Sequence, residues 1–341
     1  MNTIDIELAR ELIEFAPTQR AKNMGYGESQ LRGTVAAFNM VARNGVAYIA
    51  DEVGMGKTYV ALGVLGIMRH LAPDTTVLVI APRENIQRKW IKELQNFVRF
   101  NWRLDDGRVR TLHKRPVYAP IPCDSLEALA RESRLNEHQD FFLRMTSFSI
   151  ATKEGESRKR YRDRLYPLLP PVVGELLAVG RDPDLFRDNF GKAINAVLPD
   201  IDLLIVDEAH NLKHGFGPNV SNRNRVLGFA LGHPEAMSAL YPWYGRRVRR
   251  LLLLSATPFE YDYGDICRQL DVLGLAGREV VVSYVPAGNY VGGWFMDRVA
   301  EPGFAPVPWL TFAAIGLASA AGLATMRLGG TAISQARRES G

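Results

Sequence analysis

Cysteine is scarce in this chain of 341 residues, and the two that occur, Cys123 and Cys267, are far apart. The sequence contains no C-x-x-C pair and no group of histidines and cysteines at the spacing of metal ligands. These absences argue against a disulfide framework and against a zinc site, because both need several such residues at short intervals. A reducing compartment, the cytoplasm, is the expected location.

A large excess of one charge is also missing. Lysine and arginine number 42 and aspartate and glutamate 37, so the formal net charge is only +5. Such a balance is compatible with a polyanionic partner but does not by itself indicate nucleic acid. The N-terminus lacks the apolar core of a secretion signal, because Asp5, Glu7 and Arg10 interrupt it.

The segment from Val307 to Met326 contains no charged residue. Its length is just sufficient to cross a bilayer, but its alanine and glycine content favours a buried helix or a poorly folded tail. A membrane is therefore not an expected partner.

Four apolar runs predict β-strands. They are VAYIA from Val46, TVLVIA from Thr76, IDLLIVD from Ile201 and RLLLLSAT from Arg250. Continuous apolar strands are typical of a parallel sheet that helices cover on both faces, so we expect an α/β fold. Polar or small residues end each run, and ligands of such sheets bind at the carboxyl ends of the strands.

The segment ADEVGMGKT follows the first run and precedes an apolar helical segment. Gly54 and Gly56 lack the Cβ atoms that would keep consecutive backbone N–H groups away from an anion. Lys57 would add a positive charge for the β- and γ-phosphates, and the Thr58 hydroxyl would bind Mg²⁺. The segment predicts a phosphate-binding loop, although Asp51 stands where the general pattern has its first glycine.

Asp207 and Glu208 follow the third run, in LLIVDEAH. A carboxylate at the end of a buried strand is costly unless it faces a cation, so Asp207 is predicted to bind Mg²⁺ opposite Thr58. Glu208 would orient or deprotonate the water that attacks the phosphate. The alternative is an acidic first turn of a helix, which the phosphate loop upstream disfavours. His210 alone indicates no role in proton transfer.

Together these motifs resemble the first motor lobe of superfamily-2 helicases, particularly of Swi/Snf-type DNA-dependent ATPases. The phosphate loop of that family reads DExGxGKT, which explains Asp51. APRENIQRKWIKE is similar to its motif Ia, with Pro82, Trp90 and Glu93 in the family's positions, and RMTSFSI is similar to motif Ib. The resemblance covers about residues 28–275 and implies a RecA-like P-loop domain.

The resemblance also implies the ligands and the site. ATP and Mg²⁺ would be the cofactors and nucleic acid the partner, with translocation on duplex DNA preferred to strand separation. The nucleotide-binding residues would be Gln30, Asp51, Glu52, Gly54, Met55, Gly56, Lys57 and Thr58, of which Gln30 would contact adenine unless it is an exposed loop residue. Catalysis would rest on Lys57, Asp207 and Glu208, with Thr58 and Asp207 as metal ligands. Coupling would involve His210, Ser255 and Thr257, and nucleic-acid contact Arg83, Thr146 and Ser147.

The pattern loosens between about Phe100 and Pro199, where only FLRMTSFSI from Phe142 predicts a strand. We interpret this region as an insertion. For its basic run KEGESRKRYRDRL, a solvated helix face is favoured over a phosphate-contacting patch. The arginines from Arg246 to Arg250 have the same two explanations.

The family's second lobe, which supplies an arginine finger, has no visible counterpart. We therefore expect an N-terminal helix at 1–25, a RecA-like lobe at 26–280 with the insertion at about 100–200, and a truncated or non-native tail at 281–341. ATP binding is expected of this chain alone, and hydrolysis if a subunit supplies the second lobe in trans. The alternative is a catalytically silent nucleotide- or DNA-binding module.

Overall fold

The computed structural model describes residues 1–17, 26–50, 54, 56–178, 182–217, 221–258, 264–275, 281–283 and 325–327. Asp51, Glu52 and Met55 of the predicted phosphate loop lie outside these ranges, as does most of the predicted C-terminal tail. Within the ranges, no helix combines the length and the apolarity needed to cross a membrane.

A six-stranded parallel sheet forms the centre of the fold. Its strands are β1 (Val46–Ile49), β2 (Val77–Ala81), β3 (Ile121–Cys123), β4 (Asp140–Arg144), β5 (Leu203–Asp207) and β6 (Leu251–Leu254), in the order β1-β6-β5-β2-β4-β3. All adjacent strands are parallel. The four apolar runs supply β1, β2, β5 and β6, whose residues are buried except for Asp207 at the end of β5. Two further short strands, β7 (Val281–Ser283) and β8 (Thr325–Arg327), pair with each other.

Helices surround the sheet. They are α1 (Ile6–Leu12), α2 (Tyr26–Asn44), α3 (Lys57–Leu71), α4 (Glu84–Asn96), α5 (Leu126–Leu135), α6 (Gly155–Leu165), α7 (Pro171–Gly174), α8 (Pro183–Val197), α9 (Asn222–Leu231) and α10 (Gly264–Val272). A π-helical turn, Phe97–Asn101, extends α4. Short 3₁₀ turns follow β4 at Met145–Phe148 and β5 at Ala209–Leu212.

The sheet has a hydrophobic core on each face, because successive strand residues point in opposite directions. Ala47 and Val79 face a core formed with α1 to α4. Tyr48 and Val206 face a second core, formed mainly with α5, α8, α9 and α10. Burial on both faces requires uninterrupted apolar strands, which is the property that the sequence pattern detects. The RecA-like α/β prediction is confirmed.

The region from Phe100 to Pro199 contributes two strands to this sheet, one more than predicted. β4 ends at Arg144, so the predicted strand from Phe142 to Ile150 is wrong from Met145 onward, where the chain forms a 3₁₀ turn at Met145–Phe148. The sequence did not indicate β3, which has only three residues and includes Pro122. Proline is tolerated there because β3 is an edge strand.

The two basic clusters differ in their surroundings. In α6, Arg158 is buried and donates hydrogen bonds to the carbonyls of Thr152 and Lys153. Before β6, Arg249 forms ion pairs with Asp200 at 3.0 Å and with Asp202 at 3.1 Å. These pairs lie at the amino ends of β5 and β6, on the edge of the sheet opposite the predicted site.

Candidate nucleotide site

The predicted site residues lie at the carboxyl ends of three adjacent strands. α3 begins at Lys57 after the loop that follows β1, Asp207 ends β5, and Ser255 follows β6. β6 lies between the other two strands. Its carboxyl end is therefore next to both the phosphate loop and the acidic strand end.

The described glycines of the phosphate loop adopt a left-handed backbone, with φ of 89° at Gly54 and 90° at Gly56. Residues with a Cβ atom rarely adopt this conformation. A Cβ atom on Gly56 would also lie only 2.1 Å from the Nε2 atom of Gln30. Gly56 caps α3, and the N–H groups of the first turn of a helix attract anions. The described start of α3 would therefore attract an anion such as a phosphate.

Gln30 lies on α2 and not in a loop, so the alternative of an exposed loop glutamine is wrong. Its backbone carbonyl oxygen accepts a hydrogen bond from the Thr34 hydroxyl at 2.8 Å. Thr34 is fully buried and packs against Gly63 of α3. This packing holds α2 against α3 and places the Gln30 side chain beside the start of α3.

The Asp207 carboxylate is held by two donors. The indole N–H of Trp90 donates to Oδ2 at 2.8 Å, and the backbone N–H of Glu208 donates to Oδ1 at 3.0 Å. Burial raises the pKa of Asp207, and the two donors and the cations of Lys57 and Lys89 oppose that rise. Lys57 is therefore close enough to Asp207 for its charge to lower the pKa of that carboxyl.

Glu208 has a left-handed backbone, with φ of 52° and ψ of 51°, which is uncommon for a residue other than glycine. Its carbonyl oxygen accepts hydrogen bonds from the backbone N–H of Asn211 at 3.0 Å and from the Asn211 side chain at 2.8 Å. Backbone strain of this kind is concentrated at functional sites. Asn211 thus fixes the backbone of Glu208 at the end of β5.

The structure brings together the three residues that were predicted to couple nucleotide and nucleic acid. The Nδ1 atom of His210 lies 3.0 Å from Oγ of Ser255 and 3.2 Å from Oε2 of Glu208. Ser255 is fully buried, and its hydroxyl accepts a hydrogen bond from the backbone N–H of Thr257 at 3.1 Å. A continuous path of contacts therefore runs from Glu208 to the segment after β6.

Sequence reasoning missed Gln269 of α10, which is fully buried behind this segment. Its Oε1 atom accepts a hydrogen bond from the Tyr48 hydroxyl at 2.8 Å, and its Nε2 atom donates to the Pro258 carbonyl at 2.7 Å. Gln269 thus connects Pro258 to Tyr48 of β1. Its spacing of three residues from Ile266 and from Val272 places it on the buried face of α10, and this spacing is the signal that the sequence offered.

The predicted nucleic-acid contacts lie farther along the same edge of the sheet. Arg83 precedes α4 and is exposed, and Thr146 is exposed on the turn after β4. Ser147 is half-buried, and its hydroxyl donates to the Asp124 carbonyl at 3.3 Å. A groove of about 640 Å³ adjoins them, between α4 and the ends of β3 and β4. Its lining includes Arg88, Lys92 and Arg144.

The residues present fit Mg²⁺ in one particular way. In the part of the chain that the structure describes, no three His, Cys, Asp or Glu side chains are grouped to hold a metal ion. Mg²⁺ in nucleotide sites commonly uses one or two carboxylates together with substrate phosphates and water. The single carboxylate of Asp207, opposite the start of α3, agrees with an ion that arrives with the nucleotide.

Comparison with known proteins gives one family match. Residues 21–169 match the family model of the type III restriction enzyme, res subunit. The crystal structure of the Pyrococcus furiosus Hef helicase domain is similar at 13% sequence identity and a TM-score of 0.40. That similarity covers 77% of this chain but only 39% of the Hef chain. No curated protein matches the sequence. The family match, which includes the phosphate loop, α4 and the turn after β4, supports a superfamily-2 helicase-related ATPase domain in this chain.

Proposed function

We propose that this chain binds ATP and Mg²⁺ as the first motor lobe of a nucleic-acid-dependent ATPase. The observation that carries the proposal is the convergence of Lys57, Asp207 and Glu208 at the carboxyl edge of adjacent strands. Each of these residues is common in other contexts. Phosphoryl transfer needs a phosphate cradle, a metal ligand and a carboxylate for water in one place.

In this proposal the start of α3 holds the phosphates. Gly54 and Gly56 admit them to the backbone N–H groups, Lys57 balances the charge of the β- and γ-phosphates, and Gln30 contacts adenine. Thr58 and Asp207 would hold Mg²⁺, which when bound neutralises negative charge on the phosphates. The predicted loop residues Asp51, Glu52 and Met55 complete the cradle in the same proposal.

Glu208 is the proposed catalytic base or water-orienting residue. Its backbone is fixed by Asn211, and its carboxylate contacts His210, so its side chain has a defined position at the strand end. His210, Ser255 and Thr257 would carry the nucleotide state to the segment after β6. The resemblance to Swi/Snf-type ATPases, through the DExGxGKT and DEAH patterns, supports this assignment.

Duplex DNA is the proposed nucleic acid, by the same resemblance. Arg83 and Thr146 are exposed at the carboxyl edge, where a phosphate backbone would reach them. Residues 26–280 would form the lobe, and a partner subunit would supply the second lobe with its arginine finger. The scarcity of cysteine supports a cytoplasmic location.

Nucleotide binding tests the core of the proposal. Isothermal titration calorimetry of Lys57→Ala should show ATP affinity at least ~10-fold below that of the wild type, because a charge-assisted contact contributes ~1.5–3 kcal/mol. Equal affinity would contradict the assignment of the phosphate loop.

Turnover tests the role of Glu208. Glu208→Gln should bind ATP as the wild type does and should lose any ATPase activity that duplex DNA stimulates. An unstimulated wild type, with no loss in the variant, would favour the silent binding module.

A further inference from the structure

Helix α4 carries two side chains that reach the nucleotide site from outside the loops that form it. Trp90 and Glu93 are three residues apart, so they lie on the same face of the helix. Trp90 contacts Asp207 and Glu93 contacts Tyr59, which adjoins Thr58. One helix therefore contacts both Asp207 and the first turn of α3, which includes Thr58.

Trp90 fixes the orientation of the Asp207 carboxylate. Its side chain is only 1% exposed, so the indole cannot turn away, and its N–H donates to Oδ2 at 2.8 Å. An indole nitrogen can only donate, and a carboxylate oxygen can only accept, so donor and acceptor are unambiguous in this bond. Hydrogen bonds from groups behind a metal ligand set its direction and strengthen metal binding.

Glu93 fixes the first turn of α3 in the same manner. Its Oε2 atom accepts a hydrogen bond from the Tyr59 hydroxyl at 2.6 Å. This bond connects the first turn of α3 to α4.

We propose that Trp90 and Glu93 are positioning residues that set the separation of the two metal ligands, Asp207 and Thr58, through α4. The inference rests on the proposed function. It adds a second connection between nucleic acid and nucleotide, because α4 follows directly after the exposed Arg83. A displacement of α4 by nucleic acid would move Asp207 and Thr58 relative to each other, independently of His210 and Ser255.

The chain offers a matched control for the Trp90 bond. Trp102 is also 1% exposed, but its indole nitrogen is buried without a hydrogen-bond partner among the residues that the structure describes. Trp90→Phe and Trp102→Phe therefore remove the same atoms from similarly buried positions. Only the first of them removes a bond to a proposed metal ligand. Thermal unfolding of both variants would show whether their losses of stability are comparable.

The experiment measures ATP affinity by calorimetry, once with Mg²⁺ and once with EDTA. Trp90→Phe should bind ATP with Mg²⁺ about 10- to 100-fold more weakly than the wild type, the usual effect of losing such a supporting group. Its affinity in EDTA should equal that of the wild type. Trp102→Phe should retain the wild-type gain in affinity from Mg²⁺. The same gain in the two variants would overturn the inference.

The hydrogen bond between Tyr59 and Glu93 provides a second test, with substitutions that leave the hydrophobic core intact. Tyr59→Phe deletes one hydroxyl and should also reduce the gain in ATP affinity from Mg²⁺. Glu93→Gln should keep most of that gain, because its amide oxygen still accepts the bond, whereas Glu93→Ala should lose it. A gain that is unchanged in Tyr59→Phe and Glu93→Ala would exclude a positioning role for Glu93.

If the proposed function is wrong, the same measurements should give a different set of results. If the wild type bound ATP without any effect of Mg²⁺, or if Lys57→Ala bound as tightly as the wild type, the nucleotide site itself would be wrong and the inference would fall with it. If both of those controls behaved as expected and Trp90→Phe behaved like Trp102→Phe, only the inference would fail.

Discussion

Alanine substitutions at the two described glycines of the phosphate loop should have separable effects. Gly54 and Gly56 have almost the same positive φ, so each substitution should cost about 1–2 kcal/mol of unfolding free energy for the left-handed backbone. At Gly54 the new methyl group would meet no atom of the described residues within 4 Å. At Gly56 it would meet Gln30, at 2.1 Å from Nε2 and 3.2 Å from Cδ.

Gln30 must therefore move in the Gly56→Ala variant. Because the clash involves the end of a flexible side chain, the added cost is that of a displaced rotamer, about 0.5–1.5 kcal/mol. Urea unfolding should show this excess of Gly56→Ala over Gly54→Ala. In a Gln30→Ala background the excess should vanish, since the methyl group then has room.

Nucleotide selectivity gives a second measurement of the same displacement. If Gln30 contacts adenine, Gly56→Ala should reduce the preference for ATP over GTP. Gly54→Ala should instead weaken the binding of both nucleotides by the same factor. Calorimetry with the two nucleotides measures this ratio. The reasoning would be refuted by an excess unfolding cost of Gly56→Ala that persists without Gln30, because the clash would then not be its cause.

Three further predictions concern other parts of the fold. Ser255→Ala removes a partner of His210 and should leave ATP affinity unchanged while lowering the ratio of DNA-stimulated to basal ATPase rates; an unchanged ratio would argue against coupling through this contact. Arg69→Met leaves the buried carboxylate of Asp140 without its ion pair at 2.6 Å and should lower the unfolding free energy by about 3–5 kcal/mol in urea titrations. Burial raises the pKa of Cys123 to about 12, so the native thiol should resist iodoacetamide at pH 8 and react on unfolding; rapid native labelling would contradict its placement. The thiol of an unfolded chain ionises near its ordinary value of 9.0, so this group's contribution to stability should decline as pH rises above that value.

The sequence allowed β1, β2, β5 and β6 to be predicted because each is buried on both faces and thus continuously apolar. It also predicted which strand ends carry polar groups. β3 was missed because three residues with a proline carry no periodicity, and its place in the sheet depends on pairing with β4. The turn after β4 was read as strand because its apolar side chains are buried there in a different conformation.

The contacts that organise the site were beyond sequence reasoning for a different reason. Trp90 and Asp207 are 117 residues apart, and Tyr48 and Gln269 are 221 residues apart. Local patterns assign such residues to a buried face but do not identify the partner. The strand order determines which of these distant residues become neighbours, because it brings the ends of β1, β6 and β5 together.

The strand order also places the two halves of the site on strands that differ in local stability. β5 is hydrogen-bonded on both sides, to β2 and β6, whereas β1 is an edge strand of the described sheet and pairs only with β6. The acidic residues therefore lie on an internal strand and the phosphate loop follows a peripheral one. Amide hydrogens of β1 should exchange with solvent sooner than those of β5, since edges open with less disruption of the sheet. A ligand that contacts the ends of both strands would slow hydrogen exchange most in β1. Nucleotide binding would thus stabilise the edge strand of the sheet.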